Sequence, residues 1–441
     1  MHMTGKLSKM LVILATLVAA FLVVSVSAES KARIVRLSDV QGSVQIDRAA
    51  GQGLEKAFQN LPVVEGAKLK TGRDGRAEIE FEDGSSLRLA QDSEAEFPKL
   101  ALTDDGSKLT SIKLISGVMY VHAGANKGDK LNISFGRESI TLADSAHFRI
   151  DFADTDATLA VFKGKVRGTG PSGPFEVSEK HSATFDLVNN DSFAVNKNFD
   201  PDPNDAWDKQ QSDYHDRYAK SGYSDLSSPY GYGLADLNYY GNYFNCAGFG
   251  YGWQPFLVDA SWSPFADGAW AWYPGFGYTW VSSYPWGWTP YRYGSWGYSS
   301  GCGWMWQPGL WTAWYPVPVV VNPPVRTPLP KPPIRGTTMV MVGRGLIASP
   351  ANPPSHLRVN PGSAGLGIPR GSIANFDHVA KEAGNSSRPV EVHSRTSSST
   401  SYPSTNQGGW GSAASSGRGS FSGGHIGSPS HTSASAPSRP H

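Results

Sequence analysis

The chain has 441 residues, 39 Lys/Arg against 38 Asp/Glu, 12% aromatic residues and two cysteines. A net charge of +1 argues against nucleic acid as a specific partner, and two cysteines with no histidine pair beside them make a poor metal centre. The length accommodates two or three domains, and charge is uneven along them: Asn322 to His441 holds eleven Lys/Arg and three Asp/Glu, leaving the rest net acidic.

The first element is an export signal. Lys6 and Lys9 precede an apolar run from Met10 to Val26, and Val26-Ser27-Ala28 supplies small residues for cleavage, so residues 1–28 read as a secretory signal peptide. An uncleaved anchor is the alternative, because the run approaches spanning length. No second long apolar run follows. After cleavage the mature chain is expected in the periplasm, in the outer envelope or secreted, with no membrane span. In such an oxidising compartment Cys246 and Cys302 are candidates for a disulfide.

Residues 34–196 carry short alternating runs separated by Gly, Asp and Asn. The stretch KTGRDGRAEIEFEDGSSLRL, Lys70 to Leu89, can be read to its register. Ala77, Ile79 and Phe81 alternate with Glu78, Glu80 and Glu82, as in a half-buried strand. Opposed residues share a face, so a two-residue Asp83-Gly84 loop would mix faces by setting Leu87 against Glu80. A three-residue loop, Glu82-Asp83-Gly84, pairs Phe81 with Ser85, Ile79 with Leu87 and Ala77 with Leu89. It places Glu78 opposite Arg88, expected on a solvated outer face, and gives Gly84 a left-handed conformation. The recurring runs predict an all-β domain, a sandwich or a β-roll.

Within it, VVEGAKLKTGRDGRAEIEFEDGSSLRLAQDSEAEF (Val63 to Phe97) resembles the FecR-type domain of bacterial envelope proteins: a Gly-x-x-Leu-x-Thr-Gly lead-in, an alternating strand, Asp-Gly-Ser and Leu-x-Leu. LISGVMYVHA and LAVFKGKVRG are similar to two further strands of that family, each built around a Gly between apolar runs. The resemblance implies an extracytoplasmic domain used in sensing and transmembrane signalling, with no catalytic residues to carry over. Regulators of the family place a cytoplasmic anti-sigma segment before a membrane span. Here nine residues precede the apolar run, so a free-standing envelope protein is expected instead.

Residues 202–221 predict one linking amphipathic helix, capped by Asn204 or Asp202, with Trp207, Gln211, Tyr214 and Tyr218 on one face. His215 lies beside Asp213 and Asp216, but adjacent helical positions do not face each other, and a solvated role is expected. Asp200, Asp202 and Asp205 gather three acids whose proline spacing departs from a calcium loop; a capped, solvated linker is the expectation.

Residues 223–316 hold 12 of the 14 Trp and repeat internally. Trp262-Ser-Pro264-Phe265 to Trp270 matches Trp288-Thr-Pro290-Tyr291 to Trp296, and Trp280 maps onto Trp306. A weaker first copy ends at Trp253-Gln-Pro255. Three stacked hairpin units are expected, forming a small aromatic-rich β-repeat domain. GYTWVSSYPWGWTPYRYGSW also resembles an uncharacterised Trp/Tyr-rich domain that often follows FecR-type domains, which implies no activity. The rings either build a core in place of aliphatic residues or form a platform on which sugar rings stack. Trp262, Trp270, Trp280, Trp286, Trp288, Tyr291 and Trp296 are the binding candidates, with Trp286 and Trp288 expected to share one face across Gly287.

Residues 317–441 read as a polyproline spacer and a mostly disordered, basic Ser/Gly-rich tail, with a strand near Thr337 to Ala348 and a short helix near Ser372 to Ala383. No Gly-x-Ser-x-Gly, HExxH, phosphate loop or CxxC occurs. The mainly β chain is therefore expected to be a non-catalytic envelope binding or sensing protein without a cofactor, in a signalling or scaffold assembly, with an envelope protein or polysaccharide as partner. The alternative is a structural or adhesive matrix protein holding wall polysaccharide through its aromatic repeats. An enzyme acting on envelope polysaccharide ranks third, because paired carboxylates come from distant parts of a chain.

Overall fold

Why the Gly-interrupted strands are so placed becomes clear in the computed structural model. It describes residues 33–395 apart from 125–127, 190–191, 220–229, 310, 312–313, 325–328, 335 and 337. The expected signal peptide, the helix stop at Gly222, the start of the aromatic region and the tail beyond 395 lie outside the described residues.

The chain is mainly β. Its N-terminal half forms a sixteen-stranded sheet. The strands used below are β1 (Val35–Gln41), β2 (Arg76–Glu80), β3 (Ser86–Leu89), β4 (Lys108–Ala123), β5 (Ala146–Phe152) and β6 (Asp156–Gly170). β2 and β3 pair in the expected register, Ala77 with Leu89, Glu78 with Arg88 and Ile79 with Leu87. Phe81 N–H donates to the Ser85 carbonyl at 2.9 Å, and Gly84 has φ +83°.

The long strands β4 and β6 each serve two parts of this sheet. Leu109 to Leu114 of β4 run parallel to the strand Lys130–Phe135, while Gly117 to Ala123 pair antiparallel with β5. β6 pairs with β5 up to Gly164 and, from Lys165, with the strand Gly173–Ser178. Gly117 and Gly164 adopt φ of +86° and +81°, and a Cβ at either would meet backbone, Ser93 Cα at 2.7 Å and the Ser145 carbonyl at 2.4 Å. A side chain fits neither position, so the glycines mark where each strand bends from one part of the sheet to the other. Both parts contribute to one core, with Leu87 and Phe148 from one and Ile133, Phe135 and Ile140 from the other.

Helix α1 (Asp205–Tyr218) follows, shorter than the expected 202–221. Trp207, Gln211 and Tyr214 are buried and Tyr218 half-buried, the expected face. Asn204 is the N-cap residue but makes no side-chain cap bond; just ahead of the helix Asp202 accepts from Asn204 N–H at 2.7 Å and Asp205 accepts from Asp202 N–H at 2.9 Å. Helix α2 (Leu234–Tyr240) leads into the aromatic region.

Three hairpins appear there: β7 (Gly241–Cys246) with β8 (Gly250–Pro255), β9 (Gly268–Tyr273) with β10 (Gly277–Ser282), and β11 (Ser295–Ser299) with β12 (Gly303–Gln307). Each contains an aromatic pair across its strands: Tyr243 with Trp253, Trp270 with Trp280, Trp296 with Trp306. They do not form one stack. The first and third share a sheet through Trp253 and Trp306, and Cys246 and Cys302 join them by a disulfide with Cα atoms 6.4 Å apart. The second hairpin pairs with the strand Val340–Val342.

That second hairpin fuses the two halves of the chain. Ala269, Ala271, Tyr273 and Val281 join the core of the N-terminal sheet, whereas Trp270 and Trp280 lie in the aromatic core. Small residues on one face let the sheets approach while indoles fill the other. Among the described residues, the regions read as successive domains thus belong to one compact unit.

The largest departure lies in residues 356–393, read as spacer and tail around one short helix. They fold into β13 (His356–Val359), α3 (Phe376–Ser386) and β14 (Val390–His393), with β13 and β14 paired. Leu357, Val359, Ile373, Phe376, Ala380 and Ala383 are buried in the aromatic cluster. These apolar residues are too sparse to announce a core of their own; the face of Tyr239 and Tyr240 supplies the missing partner, with Phe376 stacked on Tyr239 at 5.3 Å.

Candidate functional site

The seven aromatic candidates are core residues. Trp262 is the most exposed at 8%, and Trp270, Trp280, Trp286, Trp288, Tyr291 and Trp296 are at 2% or less. A stacking platform requires open ring faces, and these faces are covered by one another and by backbone. Trp286 stacks on Tyr284 at 5.0 Å and donates to the Ala364 carbonyl at 2.7 Å; Tyr291 donates to the Pro264 carbonyl at 2.6 Å. Trp286 and Trp288 do not share a face. Gly287 N–H donates to the Tyr284 carbonyl and Trp288 N–H to that of Trp286, so this stretch is a turn to which strand alternation does not apply. Trp288 packs instead with Tyr232 and Tyr293, beside Arg292, whose guanidinium lies 5.0 Å from the Trp288 ring and 4.9 Å from that of Trp314. Burial lowers the Arg292 pKa to about 10.

The charged residues gather elsewhere, on the face of the N-terminal sheet expected to be solvated. Glu78 and Arg88 are an ion pair at 2.7 Å, as their register requires, but both are buried. The cover is α1, α2 and the C-terminal segment, each of which adds charge. Asp208 of α1 accepts from Arg88 at 2.5 Å and bonds His147 of β5 at 2.7 Å. His215 reaches Glu78 with Nε2 at 3.0 Å and Glu80 with Nδ1 at 3.4 Å, so it is a bridge and not a solvated residue. Arg370 binds both carboxylate oxygens of Asp236 at 3.0 Å, Glu78 at 2.5 Å and the Ser38 carbonyl at 3.0 Å. Arg36 pairs with Glu80 at 2.9 Å and Asp236 at 2.6 Å, then reaches the Pro285 carbonyl at 2.8 Å, a contact to the aromatic region.

Burial would raise the carboxylate pKa values here, and the cations decide where each one lies. Against that burial, His215, Arg88 and Arg370 hold Glu78 well below the usual range. Arg370 and Arg36 lower Asp236, and His147 and Arg88 lower Asp208, in each case against burial. Asp39, on the same face, receives less: burial pushes it up to about 6, although Arg370 opposes this and Gln41 donates to it at 2.8 Å. The linker acids have similar partners. Tyr120 donates to Asp202 at 3.0 Å and to Asp205 at 2.8 Å, and Arg149 binds Asp205 at 2.6 Å. These contacts make Asp202 and Asp205 anchors of α1 on the sheet, while Asp200 takes part through its carbonyl, which accepts from Arg149 at 2.9 Å.

Arg36, Arg370 and Asp236 had no signal in the sequence, because their partners lie far away along the chain. Glu78, Arg88 and His215 were visible in the sequence as polar positions on an expected strand or helix; only the covering of one element by another was missing.

Comparison with known proteins places two families on this fold. The model of the FecR protein family matches residues 67–167, and a family of unknown function, DUF6600, matches residues 234–325. The chain thus carries a FecR domain followed by a DUF6600 domain. No curated protein matches the chain. Two crystal structures of a protein described as an anti-sigma factor from Parabacteroides distasonis are similar to it. The first has 13% identity over 33% of this chain and 64% of that one, with a TM-score of 0.27. The second has 12% identity over 37% and 74%, also with a TM-score of 0.27.

Proposed function

We propose that this protein is a non-catalytic binding or sensing component of the bacterial cell envelope, exported and part of a signalling or scaffold assembly. The FecR domain at residues 67–167 is the observation that carries this reading. The disulfide between Cys246 and Cys302 supports an oxidising compartment. The ionic face supports a mechanical role for the domain: its charges are spent on holding α1, α2 and the C-terminal segment in place, so a signal received on one region would reach the others through a rigid body.

Deletion of the gene in its host, followed by transcript profiling under envelope stress, tests the proposal. A sensing protein predicts a discrete set of transcripts that changes on deletion and returns when the full chain is restored. An unchanged transcript set together with loss of envelope integrity would overturn the sensing role in favour of a structural matrix protein.

A further inference from the structure

The hairpin of β13 and β14 sets His356 directly opposite His393. At the next position, Ser394 N–H donates to the Ser355 carbonyl at 2.8 Å. Hydrogen-bonded and non-hydrogen-bonded pairs alternate along an antiparallel ladder, so the histidines occupy a non-hydrogen-bonded position, where opposed side chains lie closest. Their ring centroids are 4.2 Å apart and their planes inclined by 51°. The other histidine pair across strands, His122 and His147, differs: its rings stack nearly parallel, 18° at 5.1 Å, and His147 is engaged by Asp208. Leu357 and Val359 point into the core from β13, which leaves His356 on the outer face; His393 is exposed beside it. Neither imidazole forms a hydrogen bond or ion pair among the described residues.

Two opposed, exposed imidazoles with ring centroids this close can each turn a nitrogen toward a common ion. With metal–nitrogen bonds of about 2.0–2.1 Å and a right-angled to tetrahedral bite, two such rings have centroids about 4.5–5 Å apart. The observed spacing reaches that range by a few tenths of an ångström of side-chain rotation. We infer that His356 and His393 form a bidentate site for a divalent transition-metal ion, with water in the remaining positions. Imidazole nitrogen suits Cu2+, Ni2+ and Zn2+, and Cu2+ binds most tightly of the three. The two histidines also stand at the ends of the segment that carries Arg370 into the ionic face. An ion held between them closes that loop and stabilises the placement of Arg370. This inference does not rest on the sensing role.

Cu2+ titrated into the full chain tests it, by calorimetry and by electron paramagnetic resonance. The expected result is a site with two equatorial imidazole nitrogens. His356→Gln or His393→Gln lowers its affinity at least tenfold and leaves one nitrogen. His425→Gln, His431→Gln and His441→Gln together leave the two-nitrogen site intact. Cu2+ raises the thermal midpoint of the parent chain and not that of the His356→Gln/His393→Gln variant, whose exposed positions permit folding, as circular dichroism will verify. An unchanged two-nitrogen signal in that double variant, or no Cu2+ binding by the parent beyond that of the double variant, would overturn the assignment.

Discussion

Asp39 and Glu78 share one buried face and differ in what meets them. Glu78 has a guanidinium or imidazole on each oxygen, whereas Asp39 has Gln41 and a distant share of Arg370. With a folded pKa of about 6 against an ordinary 3.8, folded Asp39 keeps a proton that the unfolded chain has lost between these values. Stability from this group is therefore complete below about pH 4 and declines as pH rises through 6. Glu78, Asp208 and Asp236 act in the opposite sense, contributing above their unfolded pKa values and losing that contribution as pH falls through their lowered folded ones. Asp39→Asn removes the first effect and, with it, the repulsion that Asp39 exchanges with Glu78 and Asp236. We expect the variant to be more stable than the parent by about 1–3 kcal/mol at pH 7 and to lack the decline between pH 4 and 6. Urea unfolding followed by tryptophan fluorescence measures this; a variant weaker than the parent at pH 7 would contradict the account of Asp39.

At the scale of elements, the second aromatic hairpin is two-faced. Ala269 and Ala271 are fully buried against the N-terminal sheet, and the neighbouring Asn60 donates to the Ser282 and Tyr284 carbonyls at 3.1 and 2.8 Å. Solvent reaches neither alanine, so a longer side chain there must displace its packed neighbours. Ala271→Leu should cost about 1–3 kcal/mol through overpacking, seen as a lower urea midpoint with an unchanged far-ultraviolet spectrum. An unaltered midpoint would mean that the hairpin is loosely seated. The repeat in the sequence announced the aromatic pair of each hairpin, because a repeat unit carries its own strand periodicity. It did not announce that the second hairpin leaves the sheet of the other two, since that depends on which face finds a partner.

For the whole molecule, Arg370 is the farthest-reaching connection, joining the C-terminal segment to β2 and α2 in one contact set. Removing one partner of a buried ion pair leaves the others charged and unsatisfied. Arg370→Ala should therefore destabilise by about 3–5 kcal/mol. It should shift a single unfolding transition, because Glu78 and Asp236 belong to the body and not to the segment alone. Two separate transitions in calorimetry, with only the C-terminal segment released to protease, would show instead that the segment is an independent flap.

The sequence by itself determined the β character, the register of the Glu78–Arg88 hairpin, the face of α1 and the aromatic hairpin units, because each is written in periodicity over a few neighbouring residues. The tertiary structure decided what those faces meet. Glu78 and Arg88 read as solvated because alternation shows which residues share a face and carries no information on whether a helix far along the chain will cover it. The rings from Trp262 to Trp296 could have been platform or core for the same reason. Arg370 and the pairing of His356 with His393 depend on contacts between residues distant in sequence, where local pattern has no reach.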